Sequence, residues 1–429
     1  MINFIKSKSI LLLNKLTELT GIDFKFIVRG GIWSTVDLIV SNGAALLMVM
    51  AFARLLPQST YGTYSIVLSW AGIFSLFAMS GIDSAMLKSV AQGYEGDLQL
   101  AVKYKFKWGL IASVASLGFG AYYLWQGNSV LALSFLIVAV FLPSYLASSV
   151  VFKYFFAKQF FGRNTLSSIV LKTVSLISML AVLFSTDSIP IILLAYFVPD
   201  TIVKSCFTYW AIKKHQKNRK MSADTKPYAT HLTIMNIIGG ISKRIDSILL
   251  FHFIGAAEAA IYKFALLPFE KIQNVMMTVI GITQPRFAKR TYEEIYPSIS
   301  KKLIWFNLGM AIIAALAFFS LPVIYRILFP QYLDSVHYAR ILLIPFAFAS
   351  PAIIQSIWFA KAEIKKLYIL KVIIHISRIG FFAFFIPLYG MAGAIWSQVG
   401  IAIFAGCYLA ITFWLGRKKI VKPDYAQKN

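Results

Sequence analysis

Cysteine is nearly missing from this 429-residue chain, which holds only Cys206 and Cys407. Two cysteines build no disulfide framework and offer no metal-ligand spacing, so both read as small packing residues. Acidic residues are also scarce, at 17 Asp and Glu against 42 Lys and Arg, for a formal charge of +25. Long polar stretches are absent: the basic segment that separates the two halves, KKHQKNRKMSADTKPYAT, spans only residues 213–230. No nucleophile elbow, P-loop, zinc-ligand spacing or glycine-rich nucleotide turn occurs. The expectation is a protein without cofactor or metal, and not an enzyme.

What is present is apolar. Hydrophobic residues make up 59% of the chain, whereas soluble domains carry roughly 45–50%. The sequence therefore specifies an all-α integral membrane protein. In a soluble protein the charge of +25 would suggest nucleic acid, but here no soluble basic domain exists to carry such binding. Basic residues gather instead in the cytoplasmic loops of membrane proteins.

A helix crosses the hydrocarbon in about 20 apolar residues. Twelve such runs fall near 30–53, 62–83, 107–126, 130–152, 165–185, 189–212, 231–254, 259–284, 303–321, 339–359, 367–387 and 391–415. With both termini cytoplasmic, the inside segments hold 31 Lys and Arg and the outside segments three, Arg54, Arg326 and Arg340. That asymmetry supports twelve spans. The division is a cytoplasmic or interfacial segment 1–28, an N-lobe 29–212, a basic linker 213–230, a C-lobe 231–415 and a tail 416–429. The two halves echo each other: FARLLPQSTYGTYSI links spans one and two, and FHFIGAAEAAIYKFA links spans seven and eight. Parallel six-span repeats are an established transporter plan.

Charge inside the spans is costly, at about 2.5–3.5 kcal/mol per residue on the insertion scale. Eight basic residues nevertheless lie there, Lys172, Lys204, Lys243, Arg244, Lys263, Lys271, Lys371 and Arg378, against five acids, Asp37, Asp83, Asp200, Asp246 and Glu270. Charges this numerous read as the lining of a wet central cavity, and their positive excess suits an anionic cargo. Lys204 and Asp83 lie near span ends and read as snorkelling residues, while Lys172 has no evident partner. Lys371, His375 and Arg378 fall at i, i+4 and i+7, one helix face. They form either a cationic track for a phosphate or acidic sugar, or two snorkelling ends around a hydrogen-bonded histidine. Asn236, Lys243 and Asp246 make a stripe in span seven, with Arg244 beside it, serving either anion binding or lobe packing. Lys263, Glu270 and Asn274 line span eight around Pro268, a site for a kink. Asp37, at whose span mouth Arg29 sits, is either an ion-coupling carboxylate or one side of a salt bridge to Lys243 or a similar group.

Two segments carry a resemblance. RLLPQSTYGTYSIVLSWAGIFSLFAMSGIDSAMLKSVA (54–91) and RIDSILLFHFIGAAEAAIYKFALLPFE (244–270) resemble the corresponding spans of bacterial polysaccharide transporters, the O-antigen flippase branch of the multidrug/oligosaccharidyl-lipid/polysaccharide exporter superfamily. Pro57 departs from the pattern, standing where many relatives have glycine. The resemblance implies a MATE-like or lipid-flippase-like fold, with two six-helix lobes around a central cavity that opens alternately to each side. It implies movement of undecaprenyl-diphosphate-linked oligosaccharide units across the bacterial inner membrane, with cavity cations holding the diphosphate. The substrate-binding set is then Arg29, Lys243, Arg244, Lys263, Lys271, Lys371, His375 and Arg378. Asp37, Asp246 and Glu270 serve ion coupling or cavity salt bridges. Polysaccharide polymerase or assembly proteins are the expected partners of a monomer. The alternative is an ion-coupled multidrug antiporter of the same superfamily, which would favour an acidic cavity.

Overall fold

The computed structural model describes residues 24–421, with side chains over 30–415; the expected interfacial segment 1–28 and most of the tail lie outside that range. The described residues contain helices and turns and no strand. In chain order the helices are α1 (Phe24–Leu55), α2 (Gln58–Phe77), α3 (Ile82–Ala91), α4 (Asp97–Trp125), α5 (Ser129–Ser148), α6 (Val150–Ala157), α7 (Phe161–Leu183) and α8 (Ile189–Trp210). After a π-turn at Ala211–His215 come α9 (Thr225–Ser242), α10 (Ile245–Phe253), α11 (Ala256–Lys289), α12 (Tyr292–Leu328), α13 (Ser335–Ile341), α14 (Pro351–Ala360) and α15 (Ile364–Val421).

Six helices among the described residues are long and apolar enough to cross a membrane, and eight if each of two bent pairs is one span. The bent pairs are α2 with α3, at 54°, and residues 335–348 with α14, at 55°. The chain is thus a multi-pass membrane protein. The remaining runs are helical too, the run near 107–126 falling on the unbroken α4. The run 231–254 breaks between α9 and α10, and α15 is non-helical at Gly390. Large apolar side chains stand exposed along the spans, among them Phe184, Ile282, Leu316 and Phe319, as lipid-facing surfaces do. Cys206 and Cys407 are exposed as well. They therefore do not fill the packing role expected of them.

The described chain forms two units. Unit one holds residues up to 55 and 71–237; unit two holds 56–70 and 238 onward. In unit one, Ile82, Met86, Leu98, Val150, Tyr154 and Phe155 belong to a fully buried apolar cluster. Helices α4 and α5 pack through small residues. Ser113 donates to the Ala139 carbonyl at 2.6 Å and Ser116 to the Phe135 carbonyl at 2.7 Å. Small hydroxyl residues let backbones approach and supply hydrogen bonds where lipid offers none.

Unit two is organised on α11. Gly255, at φ 124°, turns the chain out of α10 in a backbone conformation that glycine adopts without strain. Gly62 of α2 lies so close to α11 that a Cβ there would stand 1.8 Å from the Ala256 carbonyl oxygen. Phe264 stacks on Tyr332 at 3.6 Å between centroids, and the Tyr325 hydroxyl donates to the Phe264 carbonyl at 2.6 Å. Helix α11 runs unbroken through Pro268, so the kink expected there does not interrupt it.

Candidate functional site

The break between α9 and α10 makes the site. Lys243 and Arg244 occupy the turn, with Arg244 at φ −123°. The polar stripe expected along one continuous helix therefore does not exist as such: Asn236 belongs to α9 and Asp246 to the first turn of α10. Arg244 caps the end of α9, donating to the Gly240 carbonyl at 3.2 Å.

Asp246 is the buried centre of unit two, at 2% exposure. It accepts from the Ser247 amide at 2.7 Å, the Tyr262 hydroxyl at 3.0 Å and the Arg378 guanidinium at 3.1 Å. Arg378 also lies over the Phe382 ring at 5.3 Å, and its buried Nε has no hydrogen-bond partner. A guanidinium fork holds several donors in one plane, so one edge is fixed on Asp246 while a donor stays available to an oxygen ligand.

The three residues on one face of α15 come together with the α9–α10 turn. His375 Nδ1 and the Ser242 hydroxyl share a hydrogen bond of 2.6 Å. Lys243, Arg378 and Lys371 all act on His375 electrostatically. Glu270 lies in the field of Lys263, Asp246, Arg378 and Lys271, and acts in turn on Tyr61. Lys243, Lys371, Lys271 and Glu270 are exposed, whereas Lys263, Arg244, His375 and Arg378 are half-buried. Seven expected cations and two expected acids therefore belong to unit two. The sequence reading missed Ser242 and Ser247, and noticed Tyr262 only as a repeat landmark. The signal for Tyr262 was its position 16 residues after Asp246, across a short glycine turn.

Unit one holds a separate set. Asp37 pairs with Lys172 at 3.6 Å, and Lys172 also donates to Ser41. Lys172 is therefore not isolated, and Asp37 has a partner within its own unit instead of Lys243. Lys204 and Asp200 form a buried i, i+4 pair at 2.8 Å, with Lys204 3.7 Å from the Tyr145 ring centroid. Asp83 accepts from the buried Lys105 at 2.7 Å. Lys204 and Asp83, expected to snorkel, are each paired with a charged side chain of the protein instead. The side chain of Arg29 lies outside the described residues. Among those residues no cluster of His, Cys, Asp and Glu is arranged to hold a metal ion.

The chain is thus a multi-pass helical protein with a group of cationic side chains around the buried Asp246. The sequence profile of the family described as "Polysaccharide biosynthesis protein" matches residues 27–291. The chain belongs to that family, in agreement with the resemblance to polysaccharide transporters. Among curated proteins no relative matches. Solved structures with the same fold include a MOP superfamily transporter from Pyrococcus furiosus, whose description states that reverse polarity of its binding pocket suggests a different function. It has TM-score 0.57 and 15% identity, covering 92% of this chain and 96% of that one. A multidrug resistance MATE family transporter in an inward-facing conformation has TM-score 0.59 and 15% identity, covering 88% and 95%. An outward-facing one has TM-score 0.57 and 14% identity, covering 94% and 98%.

Proposed function

We propose that this protein is a flippase that moves undecaprenyl-diphosphate-linked oligosaccharide units across the bacterial inner membrane by alternating access. The observation that carries the reading is the charge balance of unit two, where seven cationic or protonatable groups accompany the acids Asp246 and Glu270. Family membership supports it, since a polysaccharide under construction must cross a membrane. In this reading Arg378, anchored by Asp246, and Arg244 offer planar forks to the diphosphate oxygens, while Lys243, Lys263, Lys271 and Lys371 act as point charges. His375, held by Ser242, donates to a sugar or phosphate oxygen. Lysines hold such a group weakly enough to release it, as transport requires. The headgroup passes the polar site as that site opens to one side and then the other, and the polyprenyl chain stays in lipid.

The proposal includes twelve spans in two six-helix lobes, both termini cytoplasmic, and function as a monomer beside polymerase or assembly proteins. The multidrug antiporter is the second reading, because two neighbours of the same fold are described as multidrug transporters. The positive balance of unit two disfavours cationic drugs. The test replaces Lys243, Arg244, Lys371 and Arg378 by Ala and by Gln, singly and together, with surface polysaccharide assayed at matched expression. Progressive loss of polymer is expected; full polymer in the four single variants and the quadruple variant removes the reading.

A further inference from the structure

Unit one contains a second cationic site, on the polar segment that follows α8, and it does not depend on the identity of the transported cargo. Residues 216–224 are strapped against the turn between α3 and α4. The Lys217 amide donates to Glu95 at 2.6 Å, the Gly96 amide to the Lys220 carbonyl at 2.9 Å, and the Asn218 side chain to the Gly93 carbonyl at 3.1 Å. Gln99 donates to Gln216 at 2.9 Å, and the Thr225 hydroxyl to Asp97 at 2.6 Å.

These anchors occupy Glu95 and Asp97, the carboxylates of the α3–α4 turn. Glu95, 3% exposed, also accepts from Lys158 at 2.6 Å and Tyr154 at 3.4 Å, and Asp97 is fully buried. The fixed strap walls a cavity of about 320 Å³ lined by Lys213, Lys217 and Arg219 together with Gln99, Gln216 and Asn218. No carboxylate lines it. The three cations are exposed, and the ion pairs present among the described residues include none of them. Lys213 rests instead 5.6 Å from the Tyr209 ring centroid.

A basic loop is ordinarily a solvated face. This one differs in three respects: its backbone is tied down, its cations share one concavity, and no carboxylate lines that concavity. Like charges within one Debye length repel, so an anion in the cavity relieves a strain that the scaffold imposes. We propose that this cavity binds a phosphate-bearing anion, with Arg219 taking two oxygens through its fork and Lys213 and Lys217 supplying point charges. An anionic phospholipid headgroup and a soluble phosphate compound share this chemistry, and basic pockets at a membrane face accept headgroups.

The experiment uses the full chain with Lys243→Gln/Arg244→Gln/Lys371→Gln/Arg378→Gln as background, so that unit two does not take up the probe, purified in neutral detergent, with inorganic diphosphate as the soluble probe. Phosphatidylcholine nanodiscs with and without phosphatidic acid supply the lipid probe. The site variant is Lys213→Gln/Lys217→Gln/Arg219→Gln. The control, Lys301→Gln/Lys302→Gln/Lys365→Gln, removes the same charge from exposed positions in unit two. At 150 mM salt the site variant is expected to lose about tenfold or more in affinity for at least one probe, and the control less than about twofold. Arg219→Lys, which keeps charge and fold but removes the fork, is expected to fall between them. Diphosphate binding that phosphatidic acid does not displace identifies a soluble occupant; retention of phosphatidic acid that diphosphate displaces identifies a headgroup. Equal losses in site variant and control, or unchanged binding of both probes in the site variant, overturn the proposal. Either result leaves the cargo of unit two to its own test.

Discussion

Replacing Asp246 by Asn removes a charge and almost nothing else, which makes it a sharp probe of the unit-two centre. The carboxylate is 2% exposed, and its Arg378 partner has a side chain that is 20% exposed. Removing one member of such a buried pair leaves the other uncompensated, at a cost of about 3–5 kcal/mol. Asp246→Asn keeps one acceptor for the Ser247 amide but puts an NH2 donor where Oδ2 accepted from Tyr262 and Arg378, so a cost within that range is expected. Arg378→Gln leaves the carboxylate alone in its apolar pocket and is expected to cost as much or more. The double variant removes both charges, so it should recover about 2 kcal/mol relative to the sum of the single losses. The assay is reversible unfolding in mixed micelles, followed as a double-mutant cycle. The double variant is also expected to make no surface polysaccharide despite its regained stability, since it lacks the arginine fork. Single losses below about 0.5 kcal/mol, typical of an exposed pair, would refute the reasoning. Polysaccharide restored together with stability would make the pair structural only.

Lys204→Met should destabilise by about 3 kcal/mol, because Asp200 is left buried beside Ser175 with no counter-charge, and adding Asp200→Asn should recover most of it in the same unfolding assay. Gly62→Ala places a methyl group 1.8 Å from the Ala256 carbonyl oxygen, forcing α2 off α11 at a cost of about 3 kcal/mol, read as a drop in the folded fraction after detergent extraction. For Glu95, burial alone raises the carboxyl pKa. The hydrogen bond from Lys158, the Lys217 amide, the Lys158 charge and the Tyr154 hydroxyl outweigh burial and hold it below the usual carboxylate range. A lowered folded-state pKa contributes stability that is present above the unfolded value and lost as pH falls through the folded one. The hydrogen-exchange protection factor of the Lys217 amide should therefore stay high above about pH 5 and fall below about pH 4. Glu95→Gln should lower that protection factor at every pH; an amide equally protected at pH 3.5 and pH 7 would contradict the anchor.

The helical class and the positions of the apolar runs were legible because hydrocarbon tolerates few polar residues, so composition alone marks the spans. Lys371, His375 and Arg378 were legible as a group because α15 is regular there and spacing maps directly onto a face. The stripe in span seven was misread for the opposite reason. Helical periodicity assumes continuity, and the chain breaks at Lys243–Arg244. Partners contributed by other helices were invisible: nothing in the sequence ties Lys172 to Asp37 or Lys105 to Asp83, pairs separated by 135 and 22 positions. Asp200 and Lys204 could have been paired from their i, i+4 spacing, a neighbour relation on any helix. The Glu95 anchor was hidden more deeply, since the strap reaches it through the Lys217 backbone amide, and amides leave no residue signature.

The most direct test of the central claim is translocation by the purified protein in liposomes containing a fluorescent undecaprenyl-diphosphate-linked oligosaccharide. The measured quantity is the rate at which the sugar becomes accessible to an impermeant lectin. Accessibility is expected to rise with the native protein and to fall about tenfold or more in the Lys243→Gln/Arg244→Gln/Lys371→Gln/Arg378→Gln variant. A native rate no faster than that of protein-free liposomes, or equal rates for native and quadruple variant, would contradict the account.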